Sequence, residues 1–408
     1  MIPDAAAHPH AEPTTRVGIG WLLSFALAWF GFWLLIVLPG QFMVLKLASV
    51  LDPVGKVASS SFMIAEMSLV IVASVPFIGV ACDRTRTRFG RRRTWILGGF
   101  ITATVPFAFV GSQASWPLAA LLLGVVSLGQ AAVLVALSAV IADQVPREQR
   151  GRASAAMGVP QVIALAGGMV IVTMLVTDVA QSWFVIAVLA LASSAPFLIM
   201  LRDTEPGPLP PRPRFRMLRR SDLHGYHDFS WAMLSRVLIN AGNLTGTTYL
   251  LYFLADVLHA PNPDEALTTL IFVYLGACAA ASWLSGILSD KWQMRRHFVA
   301  ASAALQAAAA LCLAFVPTWE SSMVAAVLLG FGFGTFLAVD QALITDVLPR
   351  PESRARDLGI INSAQYLPIA PVVGWLVLGI AGYTELYAVT AAIIVAGGIV
   401  VYRIRSVR

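Results

Sequence analysis

The stretch from Gly79 to Thr94 reads GVACDRTRTRFGRRRT and separates two long apolar segments. Within ten residues it has six arginines: Arg84, Arg86, Arg88, Arg91, Arg92 and Arg93. Arginine and lysine in short loops between membrane spans are retained on the cytoplasmic side. We therefore expect this loop to be cytoplasmic, and the direction of every other span follows by alternation.

The composition of the chain excludes a soluble globular protein. Hydrophobic residues make up 58% of the 408 residues and charged residues only 12%, whereas charged residues are about a quarter of soluble proteins. At about 20 residues per span, the chain has room for about a dozen membrane helices. The formal net charge of +6 does not indicate a nucleic-acid partner, because the basic residues lie in loops between apolar spans.

Twelve apolar stretches follow one another along the chain. They fall at about 17–46, 57–82, 94–112, 117–142, 153–177, 182–201, 229–257, 266–289, 298–317, 321–348, 357–380 and 383–402. Of the 28 lysines and arginines, only Lys46 and Lys56 lie on the side opposite to the arginine-rich loop, and Arg236 lies inside a span. This bias predicts an all-α protein of the cytoplasmic membrane with twelve transmembrane helices and both termini in the cytoplasm.

The predicted domains are two six-helix halves joined by a linker. They comprise a disordered cytoplasmic tail (1–16), the first half (17–201), the linker (202–226), the second half (227–402) and a second cytoplasmic tail (403–408). The stretch from Arg202 to His224 contains five prolines and six arginines, and proline at this density favours an extended spacer. Its basic residues either contact the headgroups of membrane lipids or are simply solvated.

Two repeated motifs relate the halves to each other. The stretch GILSDKWQMRRH from Gly286 to His297 repeats the order of glycine, three residues, aspartate and basic residues, 207 residues after the first. After the fourth span Asp143 precedes a proline by three residues, and after the tenth span Asp346 does the same. Such repeats indicate two pseudo-symmetric halves related by an axis along the membrane normal.

These motifs are the ones by which the chain resembles the major facilitator superfamily, over about Val17 to Tyr402. The residues that match the signature loop of that family are Gly79, Asp83, Arg84, Gly90, Arg91 and Arg92. Four extra residues separate Asp83 from Gly90, and this longer loop ending in GRRR is similar to that of glycoside and sucrose cation symporters and related actinobacterial carriers. The resemblance implies the major facilitator fold, in which two halves rock about a site at mid-membrane.

The resemblance also implies a gate on the cytoplasmic side. Asp83 with the nearby arginines, and Asp290 in the second half, would hold that side closed while the carrier is open outward. Asp143 and Asp346 are assigned to the same gate. A carboxylate at one helix end that faces arginines at the start of another forms charge-assisted hydrogen bonds. The alternative is that the arginines only orient the loop.

Three charged residues lie within predicted spans, where a charge costs at least a few kcal/mol. Asp340 and Arg236 lie at similar depths in the tenth and seventh spans, and in the family both of these helices face the central cavity. Asp340 is a candidate for coupling transport to protons, or the two residues form a permanent ion pair. Glu66 in the second span is either a further coupling residue or is neutralised by Lys46.

Polar and aromatic residues within the spans are candidates for substrate contact. An offset of 204 residues carries Gln161 onto Gln365, so that symmetry would place two amides on opposite walls of one cavity. The other candidates are Asn240, Asn243, Tyr249 and Trp29. Amides and aromatic faces suit a polyhydroxylated ligand, but they also bond or pack against neighbouring helices.

The sequence therefore predicts a secondary active transporter, and the lack of GxxxxGK[ST], HExxH and GxSxG motifs argues against ATP drive and against an enzyme. We expect a monomeric carrier of a sugar, glycoside or similar small polar solute, driven by a proton or other cation gradient, without a cofactor or metal. The cysteines at 82, 278 and 312 lack metal-like spacing and are interpreted as packed thiols. Two alternatives stay open: an exporter of a drug or natural product, and a sensor on the same fold that binds without transporting.

Overall fold

The structure is a computed structural model that describes residues 16–201, 203, 227–292, 294–346 and 367–404. Within those residues all regular secondary structure is helical, and every one of the twelve predicted apolar stretches contains a helix. Ten of the described helices are long and apolar enough to cross a membrane, by length and composition. The predicted all-α membrane fold is therefore confirmed.

The helices before the linker begin with a segment that is continuous from Ile19 to Leu51. They are α1 (Ile19–Leu38), α2 (Val44–Leu51), α3 (Lys56–Arg84), α4 (Arg91–Val110), α5 (Trp116–Gln144), α6 (Arg150–Val170) and α7 (Val179–Met200). A π-helix at Pro39–Met43 joins α1 to α2, and a second one at Ile171–Leu175 extends α6. Such wider turns often occur at functional positions of membrane helices.

The helices after the linker include the least apolar of the predicted spans. They are α8 (His227–Thr248), α9 (Leu250–Asp256), α10 (Pro263–Trp292), α11 (Arg295–Phe315), α12 (Trp319–Asp346), α13 (Ile369–Ile380) and α14 (Tyr383–Val400). The seventh predicted span is divided into α8 and α9 at Tyr249, and it is not among the ten apolar helices. Its polarity has a clear origin, because α8 carries Arg236, Asn240 and Asn243.

Contacts divide the chain into two compact units. The first unit comprises Met1–Pro39 and Glu66–Arg214, and the second comprises Gly40–Ala65 and Phe215–Arg408. The segment Gly40–Ala65, which contains α2 and the start of α3, thus belongs to the same unit as the helices after the linker. One of its two boundaries lies inside the π-helix that follows α1.

Glycines allow close approach between helices within each unit. A Cβ atom added at Gly129 of α5 would overlap the backbone of Ala103 in α4, and one added at Gly334 of α12 would overlap the backbone of Cys278 in α10. Small residues at helix interfaces are the usual means by which membrane helices pack closely. The first contact joins the helices that carry Arg92 and Asp143, and the second involves the helix that carries Asp340.

Candidate gate and transport site

An ion cluster joins the ends of three helices in the first unit. Arg92, on the first turn of α4, is only 6% exposed. Its Nε atom lies 2.7 Å from Asp143 Oδ2 at the end of α5, and its Nη1 atom lies 3.0 Å from Asp83 Oδ1 at the end of α3. Arg91 Nη2 lies 2.9 Å from the same oxygen of Asp143. The structure thus brings together four of the predicted gate residues.

The same guanidinium contacts a buried thiol. Arg92 Nη1 lies 3.0 Å from Cys82 Sγ, and Cys82 is fully buried. A guanidinium carries five N–H groups, so one arginine side chain serves two carboxylates and a thiol at once. Arg84, another predicted gate residue, lies half-buried at the end of α3. Cys82 is therefore buried in direct contact with the cluster.

A third carboxylate at this place was not singled out by the sequence analysis. Asp203, shortly after the end of α7, accepts hydrogen bonds from the backbone N–H groups of Arg92 at 3.2 Å and Arg93 at 3.0 Å. Gly90, immediately before α4, has a φ angle of 95°, which favours glycine. The sequence signal for Asp203 is only an acid after the sixth apolar stretch, and this signal does not reveal that α7 ends beside the start of α4.

In the second unit, a buried ion pair lies within the helices. Arg236 Nη1 of α8 lies 2.9 Å from Asp340 Oδ2 of α12, and the two residues are 8% and 4% exposed. The two charges that the sequence placed at similar depth are thus in contact. Removing the charge of either partner would leave the other charge buried without compensation. The charge of one residue therefore determines whether burial of the other is favourable.

Two asparagines of α8 make different hydrogen bonds. Asn240 Nδ2 donates to the carbonyl oxygen of Arg236, one turn earlier, at 2.9 Å. Asn243 Nδ2 donates to Gln306 Oε1 of α11 at 3.3 Å. Gln306 is fully buried, and among the described residues its Nε2 has no hydrogen-bond partner. The sequence analysis missed Gln306, although a single glutamine in an alanine-rich apolar stretch is a detectable signal.

The two aromatic candidates are fully buried. The Tyr249 hydroxyl lies 2.7 Å from Ser61 Oγ and 3.3 Å from the carbonyl oxygen of Pro371. Trp29 lies in α1 with its ring centroid 5.1 Å from that of Phe32. Both side chains take part in helix packing, so a ligand reaches them only after a rearrangement.

Glu66 of α3 has a different environment from the one considered above. A Cβ atom added at Gly124 of α5 would lie 2.8 Å from Glu66 Oε1, and within the described part of the chain Oε2 is buried without a hydrogen-bond partner. Lys46 Nζ instead lies 2.7 Å from Asp264 Oδ2 at the start of α10. The interpretation that Lys46 neutralises Glu66 is therefore wrong.

The other predicted residues are not brought together by the described structure. Gln161 of α6 is exposed. Gln365 lies outside the described residues, as do the side chains of Asp290 and Asp346. The pair of amides and the second half of the gate therefore stay predictions.

Polar contacts also hold the segment Gly40–Ala65 within the second unit. Lys56 Nζ lies 2.6 Å from Asp256 Oδ1, and Asp256 Oδ2 accepts a hydrogen bond from the Tyr383 hydroxyl at 2.7 Å. These groups are partly exposed, and exposed ion pairs contribute about 1 kcal/mol or less each.

These observations together define a multi-pass helical membrane protein with charged side chains buried between its helices. Ionisable groups at that depth are costly and mark pathways for ions or solutes. The arrangement is that of a transport protein.

The chain belongs to the Major Facilitator Superfamily, whose model matches residues 20–294 and 237–408. It is therefore a transporter and not an enzyme. Its fold is similar to that of the nucleoside transporter NupG, with a TM-score of 0.67 and 12% identity over 94% of this chain and 99% of that one. It is also similar to that of the peptide transporter POT, with a TM-score of 0.75 and 10% identity over 96% of both chains. No curated protein matches the sequence.

Proposed function

We propose that this transporter is a secondary active carrier that moves a small polar solute, a sugar or glycoside, by alternating access. It works in the cytoplasmic membrane as a monomer, with both termini in the cytoplasm, and a proton or other cation gradient drives it. The observation that carries the proposal is the Arg236–Asp340 ion pair, buried within the helices of a chain of this superfamily. Charges at such positions serve proton relays and substrate pathways.

Asp340 is the proposed coupling carboxylate. Protonation removes its negative charge and leaves Arg236 Nη1, 2.9 Å away, without a counter-charge. An uncompensated guanidinium is unstable in this interior, so protonation favours a conformation in which Arg236 meets water or a substrate oxygen. Glu66 is proposed as a second coupling residue, because within the described residues its buried Oε2 has no hydrogen-bond partner.

The proposed substrate contacts combine amides with aromatic rings. They are Asn240, Asn243, Tyr249, Trp29, Gln161 and Gln365. Asn240 and Asn243 are three residues apart and therefore share a face of α8, on which Arg236 also lies. An amide offers two donors and an acceptor, which suits a ligand with several hydroxyl groups.

The cluster around Arg92 is the proposed cytoplasmic gate. Its residues are Asp83, Arg84, Gly90, Arg91, Arg92 and Asp143, with Asp290 and Asp346 as the proposed counterparts in the second half. Because Arg92 bridges carboxylates at the ends of two other helices, releasing the start of α4 from both ends requires both ion pairs to break. The gate in this proposal is closed when the carrier is open outward.

Thermal unfolding of the purified protein tests the class of solute. The similar folds belong to a nucleoside transporter and a peptide transporter, so the panel includes nucleosides and dipeptides besides sugars, glycosides and lipophilic drugs, each at two pH values. A ligand that binds the native state raises the unfolding midpoint. We expect a sugar or glycoside to do so, more strongly at one pH. A response to lipophilic drugs alone would contradict this and favour the exporter.

Uptake into proteoliposomes then separates a carrier from a sensor. The ligand found by thermal unfolding is supplied outside vesicles with and without an imposed proton gradient. Accumulation above the outside concentration, lost when the gradient is collapsed, is the expected result. Binding without flux would instead indicate the sensor.

A further inference from the structure

We propose that Asp203 is a positioning residue of the cytoplasmic gate, which holds the first turn of α4 so that Arg92 reaches its partners. This inference rests on the proposed gate function of the Arg92 cluster. It adds the chain after α7 to that cluster, because Asp203 lies shortly after the end of α7 at Met200. The hydrogen bonds of Asp203 also attach the chain to α4 at the point where the linker begins.

The start of α4 needs an acceptor from elsewhere in the chain. The first amides of a helix have no partner within the helix, and a side chain at the preceding position commonly supplies one. Here that position is Gly90, which has no side chain to offer. Asp203 provides both of its oxygens instead: Oδ1 accepts from the N–H of Arg92 at 3.2 Å, and Oδ2 accepts from the N–H of Arg93 at 3.0 Å. A negative charge at this end of a helix is also favoured by the helix dipole.

The lack of a side chain at Gly90 leaves room for the carboxylate of Asp203. A Cβ atom added at Gly90 would lie only 2.6 Å from Asp203 Cγ, and would overlap Oδ2. The φ angle of 95° at Gly90 is itself unfavourable for other residues. The glycine of the signature loop and the acid after α7 are therefore a matched pair in this chain.

The two sets of contacts meet at a single residue. The backbone N–H of Arg92 is held by Asp203, while its side chain is held by Asp83 and Asp143. If the first turn of α4 frays, the guanidinium moves away from both carboxylates. Cys82, which lies 3.0 Å from Arg92 Nη1, then becomes accessible.

The thiol of Cys82 reports this opening without any knowledge of the substrate. The chain has three cysteines, so replacing Cys278 and Cys312 by serine leaves Cys82 alone in the full-length protein. The rate of its reaction with N-ethylmaleimide is measured in the purified protein in lipid nanodiscs. We expect Asp203→Ala to raise this rate about fivefold, the effect of losing a good helix cap. Asp203→Asn should raise it less, because the amide oxygen keeps one acceptor.

Asp178 offers a matched control within the same unit. It caps the start of α7 by accepting a hydrogen bond from the N–H of Gln181 at 2.8 Å, and Asp178→Ala should leave the labelling rate of Cys82 unchanged. A role in stability alone would lower the unfolding midpoint in both variants without this difference in labelling. Equal labelling of Asp203→Ala and its parent, or equal increases in both variants, would overturn the proposal.

Amide hydrogen exchange gives a second measurement in the milder variant, in case Asp203→Ala does not fold. In Asp203→Asn, faster exchange at Arg92 and Arg93 than in the parent protein supports the proposal, and unchanged exchange overturns it. Neither measurement needs a transported solute. The positioning role of Asp203 can therefore be contradicted while transport is found. Conversely, the proposed transport can be contradicted while the positioning role of Asp203 is supported.

Discussion

The starts of α4 and α11 occupy corresponding positions in the two repeats, 204 residues apart, and the contacts described for the arginine at each start differ. In α4, Arg92 binds the carboxylates of Asp83 and Asp143 through its side chain. In α11, the corresponding Arg296 donates from Nη1 to the backbone carbonyl of Ile404, at 2.7 Å. A guanidinium that meets carboxylates gains their Coulomb attraction besides the hydrogen bonds. The repeat thus keeps the position of the arginine, while the side chains of Asp290 and Asp346, the proposed partners in the second repeat, lie outside the described residues.

The residues immediately before α4 and α11 also differ, in backbone conformation and in side chain. Gly90 has a φ angle of 95° and makes room for Asp203, whereas the corresponding Met294 has a φ angle of −109° and carries a full side chain. The glycine of the first repeat is therefore explained by a local contact with Asp203. The described contacts of the first unit thus include a carboxylate cluster at the start of α4, while those of the second unit include a charge pair buried within its helices.

The largest effect is expected at that buried pair. Asp340→Asn leaves Arg236 buried without a counter-charge, which costs about 3 kcal/mol or more, and it removes the proposed proton site. We expect a lower unfolding midpoint and the loss of uphill accumulation in proteoliposomes, with exchange of pre-loaded solute retained.

A double variant separates the two consequences of this change. Asp340→Asn combined with Arg236→Gln removes both charges, so much of the lost stability should return while uphill accumulation stays absent. Normal uphill accumulation by Asp340→Asn would rule out Asp340 as the coupling residue. Stability that does not recover in the double variant would count against the uncompensated charge as the cause.

An intermediate effect is expected at the start of α4. Arg92→Ala leaves Asp83 and Asp143 without this guanidinium, and we expect a destabilisation of about 2 kcal/mol, less than for a fully buried pair because Asp83 is half exposed. The labelling rate of Cys82 should rise more than tenfold. The measurement is the unfolding midpoint together with the reaction rate of N-ethylmaleimide in the protein that keeps Cys82 alone.

Arg296→Ala is the matched control, because it removes the corresponding arginine of the second repeat. Among the described contacts it removes the hydrogen bond to the carbonyl of Ile404, a loss of about 1 kcal/mol, and labelling of Cys82 should not change. Similar effects of the two substitutions on labelling would show that the difference between the repeats has no bearing on the gate.

The fold was predictable because its signals are local to each helix. Apolar length gives the spans, and the arginines of the loop before α4 give their direction. The depth of a residue within its span could also be estimated from the sequence. Similar depth alone was enough to identify Arg236 and Asp340 as a candidate pair.

The contacts that the sequence did not reveal depend on which helices are neighbours and on which side chains face each other. The sequence offers Lys46 as a partner for Glu66, but Lys46 binds Asp264, 218 residues further along. Asp203 likewise lies 111 residues from Arg92. No periodicity in the sequence connects such positions, so their pairing needed the structure.

The smallest effect is expected from adding one methyl group at Gly90. Gly90→Ala places a Cβ atom where Asp203 lies and keeps a φ angle that is strained for alanine, a cost of about 1–2 kcal/mol. Gly98→Ala is the control on the same helix, since a Cβ atom there meets nothing within 4 Å, and it should be neutral or slightly stabilising. We expect Gly90→Ala alone to speed the labelling of Cys82, by displacing Asp203 without removing any of its atoms. If both alanine variants label at the parent rate, the close fit between Gly90 and Asp203 does not hold the gate, and the contrast with Met294 is only one of backbone shape.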